Sequence, residues 1–344
     1  TNHPDAKTPI ECCAPRFQRH IANSQALLIY GATALKAVTK LDGVTKYAGH
    51  PIENVDLPIT GKKVFAVPTP HPAATLRDLR GLKAYERHVD RAFRIATTGR
   101  TEWVEGSIIL NPSADIFINW LEARGSWLAT DFETDGIDFF NCGIRCIGYS
   151  EYINGSNLDE TCVFGIASCE DGRLLHPIAD IERAINCMRV QLPKRNIIAH
   201  NFRVERTLNE RLGVDIPLPQ WYCTMTLHHN VDSEARHDLG SVASYYTDVP
   251  FWKDDVDWVE GVKSDRVLHK YNAIDCIATA RIWPPLLADA QRLQVYHTYP
   301  IDMVVTEVCR HMSKLGIAID WAAQKRIGER LYREFRESLS KLQS

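Results

Sequence analysis

Asp131 and Glu133 stand two residues apart at the end of the apolar run Trp127–Thr134. Side chains alternate along a strand, so both carboxylates fall on one face. Tyr271 and Asp275, in Tyr-Asn-Ala-Ile-Asp, are four apart in a helical pattern and share a face as well. Between the two pairs lies Ala199-His200-Asn201-Phe202-Arg203-Val204-Glu205, where a short strand gives way to a helix with Glu205 in its first turn. Each feature alone has an ordinary reading. The first pair fits a solvated strand end, the second an amphipathic helix edge, and Glu205 a carboxylate favoured by the helix dipole. Together the four carboxylates offer hard oxygen donors, which Mg²⁺ and Mn²⁺ prefer over His or Cys. Two such cations about 4 Å apart supply the nucleophile and stabilise the leaving oxygen in phosphodiester hydrolysis.

The ordered set Asp131/Glu133, Glu205 and Tyr271/Asp275 resembles the DEDD 3′–5′ exonucleases, in the Tyr-containing subclass found in proofreading domains of family A DNA polymerases. The resemblance spans 107–290. It includes Tyr222-Cys223-Thr224-Met225, His228-His229, Leu239-Gly240-Ser241-Val242-Ala243, Tyr245-Tyr246-Thr247 and Trp252-Lys253, which look like the inter-motif region of phage-type members. It implies a ribonuclease H-like α/β fold and two divalent cations, Mg²⁺ or Mn²⁺. Asp131 is then expected to bridge both ions, with Glu133 and Asp275 completing the first site and Glu205 serving the second through water. Tyr271 is expected to orient the attacking water, and Asn201 and Thr134 to touch the terminal nucleotide. The family's usual residue at the Glu205 position is Asp. The implied substrate is single-stranded DNA or a frayed primer 3′ end. The alternatives are a catalytically silent nucleic-acid-binding module and a DEDD-type ribonuclease. His228, His229 and His237 fit no strong zinc spacing.

The elements that would position these residues read as α/β. Arg145–Ile153 and Thr161–Ile166 are predicted strands, Ile181–Val190 a helix, Asn196–His200 a strand and Phe202–Leu212 a helix. Asp265–Leu287 is a long predicted helix interrupted near Pro284-Pro285. Before them, Gln25–Tyr30 and Lys63–Val67 are strand candidates, with a helix at Ala32–Val38. Pro68-Thr69-Pro70-His71-Pro72 predicts an extended loop, Leu82–Ile95 a basic amphipathic helix and Thr97–Gly106 a linker.

That first segment resembles the C-terminal half of family 4 uracil-DNA glycosylases over residues 9–96. The resemblance rests on Cys13-Ala-Pro-Arg-Phe, Leu27–Ala34, Lys46-Tyr47-Ala48-Gly49, the His71 loop and Lys83. It implies a base-contacting His71, a wedge at Leu76 and a phosphate contact at Arg77. Cys13 alone matches an iron–sulfur ligand position, so no cluster is expected, nor independent glycosylase activity. Residues 61–100 hold nine basic and three acidic side chains and could grip phosphates near the exonuclease.

Length, composition and charge bound the rest. The 344 residues, 45% hydrophobic, allow two or three domains of about 100–200 residues. We expect 1–100 as a partial glycosylase-like domain, 107–290 as the exonuclease and 291–344 as helices. No apolar run reaches the roughly 18 residues of a membrane span. Ten Cys in such a chain do not make a disulfide framework. The reducing cytosol is therefore the expected location, and the phage-type resemblance implies that of a bacterium or a phage-infected host. Net charge is −3, yet residues 1–125 carry +4, 126–290 carry −10 and 291–344 carry +3. The overall value excludes a nonspecific DNA coat but not a DNA enzyme whose acidic centre collects cations. Met303, Val304, Val308, Met312, Leu315 and Gly316-Ile-Ala-Ile-Asp320 resemble the start of a family A polymerase body. None of that body's catalytic motifs fits in what remains, so no polymerase activity is expected. The chain opens at Thr1 and stops within the charged pattern Glu329–Leu342, from which we expect a segment of a larger polypeptide.

Overall fold

The computed structural model describes residues 9–151, 160–256, 262 and 264–343. Chain contacts divide it into one unit of Thr1–Met303 and another of Val304–Ser344.

The larger unit opens with helix α1 (Pro9–Ile21), strand β1 (Ala26–Tyr30), α2 (Gly31–Thr39), α3 (Val44–Tyr47), β2 (Ile52–Asp56) and β3 (Lys63–Thr69). The strands form a sheet in the order β1-β3-β2, with β1 parallel and β2 antiparallel to the central β3. Short α4 (Pro72–Arg77) and long α5 (Leu82–Thr98) follow, and α5 packs across β1 and β3. The proline cluster is thus not one extended loop. β3 runs through Pro68, and Pro72 opens α4, where its missing N–H costs nothing.

A second sheet holds β4 (Ser107–Leu110), β5 (Trp127–Thr134), β6 (Ile144–Glu151), β7 (Glu160–Gly165), β8 (Asn196–Ala199) and β9 (Trp221–Cys223). Its order is β4-β7-β6-β5-β8-β9, with β6 antiparallel to both neighbours and the other pairs parallel. Counted from β5, the five later strands follow the order 3-2-1-4-5 with the second reversed. This is the ribonuclease H-like α/β arrangement expected for 107–290. β6 matches the expected strand as far as Glu151; residues 152–153 lie outside those described.

Helices α6 (Ala114–Glu122), α7 (Ile178–Gln191), α8 (Arg203–Arg211), α9 (Thr224–Val231), α10 (Leu239–Tyr246) and α11 (Asp265–Arg292) surround this sheet. α11 crosses β5, β6 and β7 and packs on α9 and α10. It is not interrupted: it passes through Pro284 and Pro285. Ile282, Trp283, Leu286 and Ala290 are buried around the prolines, and that burial outweighs the lost hydrogen bonds. Nor is Thr97–Gly106 a free linker, because the Glu102 backbone N–H donates to Asp248 at 2.7 Å.

α12 (Tyr299–Leu315) leaves the larger unit, and α13 (Trp321–Gln343) completes the smaller one. In α13, Ile327, Leu331 and Phe335 recur at helical spacing on one face. Among the described residues, no helix is long and apolar enough to cross a membrane.

Candidate metal-binding active site

Strand β5 delivers the first two carboxylates. Its alternation turns Asp131 and Glu133 toward α11, while Phe132 packs into the opposite core. β6 lies beside them, with Gly148 paired to Asp131. A Cβ at Gly148 would collide with the Asn272 carboxamide and come within 2.6 Å of Cys276 Sγ. Glycine there lets α11 settle directly onto the sheet. The helix thereby brings Asn272 and Asp275 over β5, and Asn272 Nδ2 donates to Asp131 Oδ2 at 2.8 Å.

Ligand atoms of Asp131, Glu133 and Asp275 all lie within 4.8 Å of one another. Glu133 and Asp275 are buried, and Asp131 keeps a partly exposed edge. Burial first, then the Asp275 charge, pushes the Asp131 carboxyl up to about 8 against the pull of Lys253. Glu133 is pushed well up by burial and by both neighbouring carboxylates. Such crowding is unfavourable without a cation, and three carboxylates with all-oxygen donors fit a hard divalent ion.

Glu205 stands outside that trio, in the first turn of α8. It is buried, and its Oε2 has no hydrogen-bond partner among the described residues. Burial, then the Asp131 charge, drives its carboxyl well above the usual range. An orphaned buried carboxylate oxygen raised by the Asp131 charge has the chemistry of a hard-cation ligand.

Tyr271 occupies the same face of α11 as Asp275. Lys253 Nζ donates to the Tyr271 hydroxyl at 2.9 Å and to the Asp275 oxygens at 2.7 and 2.8 Å. Trp252 Nε1 adds a bond to Asp275 Oδ1 at 2.6 Å. Asn201 follows β8 with a positive φ of 66°, and its Oδ1 accepts from Arg203 Nε at 3.1 Å. Thr134 closes the turn after β5 by donating to the Gly136 carbonyl at 2.8 Å.

The remaining candidates lie apart from the carboxylate cluster. His71 is exposed and caps α4, its Nδ1 accepting from the Ala73 N–H at 3.2 Å. Arg77 donates back to the Ala73 carbonyl at 3.1 Å, and Leu76 is exposed beside it. Cys13 is an exposed free thiol. His228 and His237 are joined at 2.8 Å through their Nδ1 atoms, and His229 reaches His237 Nε2 at 3.3 Å. The three do not gather ligand atoms as the carboxylates do.

Lys253, Trp252, Asn272 and Gly148 carry parts of this geometry that residue types alone did not assign. Asn272 had a signal, since it sits three before Asp275 on the same helical face. Lys253 had only its place in the Trp-Lys pair.

No protein-family model and no curated protein matches the chain. Among solved structures, it is similar to Brucella melitensis NrnC with bound Mg²⁺, at 18% identity and a TM-score of 0.44 over 63% of this chain and 98% of that one. It is also similar to Escherichia coli RNase D, an exoribonuclease involved in structured RNA processing, at 14% identity and a TM-score of 0.43 over 60% and 51%. The catalytic core of RRP6 from Trypanosoma brucei gives 13% identity and a TM-score of 0.43 over 76% and 67%.

Proposed function

We propose that this chain is a metal-dependent 3′–5′ exonuclease that hydrolyses the 3′-terminal phosphodiester of single-stranded DNA or a frayed primer end, releasing 5′-monophosphates. The observation that carries this reading is the convergence of Asp131, Glu133 and Asp275 within 4.8 Å beside the orphaned Glu205. Those four residues are the proposed holders of two cations, Mg²⁺ or Mn²⁺. When bound, such ions activate water and stabilise charge on the leaving oxygen.

The chain's own groups do the positioning. Tyr271, fixed through its hydroxyl by Lys253, orients the attacking water. Asn201 and Thr134, at the ends of β8 and β5, meet the terminal nucleotide. Around this centre we read 1–100 as a partial glycosylase-like domain, 107–290 as the exonuclease and 291–344 as the helical start of a polymerase body. The whole is then a cytoplasmic phage-type proofreading segment. His71 and Arg77 become contacts to the strand in this reading.

A 5′-labelled oligonucleotide incubated with the chain and Mg²⁺ or Mn²⁺ is expected to shorten from its 3′ end. Asp131→Ala or chelation is expected to stop it. Absence of shortening, or an Asp131→Ala variant that digests equally well, rejects the reading. Digestion of RNA in preference to DNA of the same sequence assigns the activity to ribonucleic acid instead.

A further inference from the structure

A cavity of about 810 Å³ lies within the larger unit, between the loops of the first sheet and the segment leading into α10. That volume falls in the range of about 300–1,000 Å³ usual for ligand pockets. Lys253 lines it, and the same ammonium binds Asp275 and Tyr271, so cavity and carboxylate cluster share a wall.

The lining combines two chemistries. Tyr85 and Phe251 are half-buried aromatic rings of the cavity wall, Tyr85 stacked on Tyr30 and Phe251 edge-on to Tyr47 and His50. Lys46, Arg80 and Arg236 are cations whose side chains are 42%, 62% and 67% exposed, paired with Asp254, Asp78 and Asp238. Exposed pairs of this kind add little stability and exchange partners readily. Two of the carboxylates are also held by other groups. Asp78 accepts from the Arg80 backbone N–H at 3.2 Å, and Asp238 caps α10 through Ser241 N and Oγ at 3.0 and 2.8 Å. Arg80 and Arg236 can therefore turn to a phosphate without stranding the acid they leave. Aromatic faces for bases with cations for the backbone are the chemistry of single-strand binding.

We propose that this cavity holds the nucleotides of a single-stranded nucleic acid just upstream of its 3′ end, with Tyr85 and Phe251 against bases and Lys46, Arg80 and Arg236 on phosphates. The proposal rests on reading the carboxylate cluster as the site of 3′-end hydrolysis. It gives the first sheet and its loops a role in presenting the strand to that cluster.

The test uses the full chain in EDTA, where binding is read without hydrolysis. A fluorescein-labelled DNA of about ten nucleotides is titrated by anisotropy, with RNA of the same sequence as a second arm. Arg80→Glu and Arg236→Glu are each expected to weaken binding by about tenfold and to lower the salt slope by about one. Lys194→Glu, an exposed charge reversal away from the cavity, serves as the control. A 5-iodouracil placed next to the 3′ nucleotide is expected to cross-link to Tyr85 or Phe251. Cavity variants that weaken binding no more than Lys194→Glu, with cross-links mapping elsewhere, overturn the proposal. Wild-type chain that cross-links at Tyr85 or Phe251 but shortens no oligonucleotide with Mg²⁺ or Mn²⁺ upholds the cavity and rejects the hydrolysis reading.

Discussion

The Lys253 ammonium lies 2.7 and 2.8 Å from the two carboxylate oxygens of Asp275. It sits on one of the three clustered carboxylates, and it also holds Tyr271 at 2.9 Å. Burial works to lower the Lys253 pKa, but the Asp275 charge and the hydrogen bonds to Asp275 and Tyr271 outweigh it and keep the ammonium protonated. Lys253 therefore partly neutralises the cluster and competes with a divalent ion for Asp275. Lys253→Met is expected to bind Mg²⁺ more tightly, seen as a larger Mg²⁺-dependent rise in Tm than in wild type. It is expected to turn over about tenfold or more slowly, because Tyr271 loses its anchor. A variant whose Mg²⁺-dependent rise matches wild type contradicts the competition.

Glu205 poses the reverse case, a carboxylate buried without enough partners. Ionising it in the absence of a cation costs stability. Glu205→Gln is expected to raise Tm in EDTA by a few degrees, corresponding to about 1 kcal/mol or more, while lowering nuclease rate about a hundredfold. Glu205→Asp, one methylene shorter, is expected to retain most of the rate. Should Glu205→Gln digest DNA as fast as wild type, Glu205 serves the fold alone.

The contact of α11 with β6 depends on one missing side chain. Gly148→Ala would place a Cβ against Asn272 and within 2.6 Å of Cys276 Sγ, neither of which is the end of a long flexible chain. Overpacking at such a contact costs about 1–3 kcal/mol. Because Asn272 also binds Asp131 and Asp275 lies one turn further on, the same shift misplaces two carboxylates. Gly148→Ala is expected to lose both Tm and Mg²⁺ affinity, measured by thermal melts with and without Mg²⁺. A fully stable variant with unchanged Mg²⁺ response refutes this account of the contact.

Local periodicity made each pair legible in the sequence, and only the resemblance to the DEDD exonucleases joined the pairs and Glu205 into one site. Two-residue alternation sets Asp131 beside Glu133, and the helical repeat sets Tyr271 over Asp275. Lys253 was not legible, since it lies in a stretch without periodicity and meets Asp275 only through the fold. The same holds for Arg91 and Asp248, which bond at 2.8 Å across 157 residues although each reads as a solvated charge. β9 has only three residues, too few to declare a strand by pattern. At Pro284-Pro285 local propensity pointed to a break, but the buried surface of α11 overrode it.

The Arg91–Asp248 bond is part of a buried junction between the first sheet's helix and α10. Arg91 also donates to the carbonyls of Gly49, at 2.6 Å, and Ser244, and Arg94 reinforces Asp248. Burial lowers the Arg91 pKa, opposed by Asp248. Removing one partner of a buried pair typically costs about 3–5 kcal/mol. Asp248→Ala is expected to lower global stability by that order in urea denaturation. An Arg91→Met/Asp248→Leu double variant is expected to recover a large part of the loss. A single variant within about 1 kcal/mol of wild type would show that the junction is not held by this pair.

Two histidines in the same junction are expected to make it sensitive to acid. His50 is buried, its Nδ1 2.8 Å from the Val249 carbonyl, and burial followed by the Arg91 charge lowers its pKa to about 4. His88, buried against Thr69 at 3.2 Å, is lowered to about 3 by burial, Arg91 and His50. Both are neutral in the folded chain, whereas in the unfolded chain they titrate near the ordinary value of about 6.5. As pH falls below that value the unfolded state takes up protons first, so stability declines. The His50 share of the decline amounts to about 3 kcal/mol and is complete only below its folded pKa of about 4. Urea denaturation from pH 7 to 4.5 is expected to show this loss, and His50→Gln is expected to flatten it. An equal slope in wild type and His50→Gln would mean that other groups carry the acid sensitivity. Because both rings adjoin the proposed strand-binding cavity, the same titration followed by anisotropy is expected to show whether strand binding weakens together with the junction.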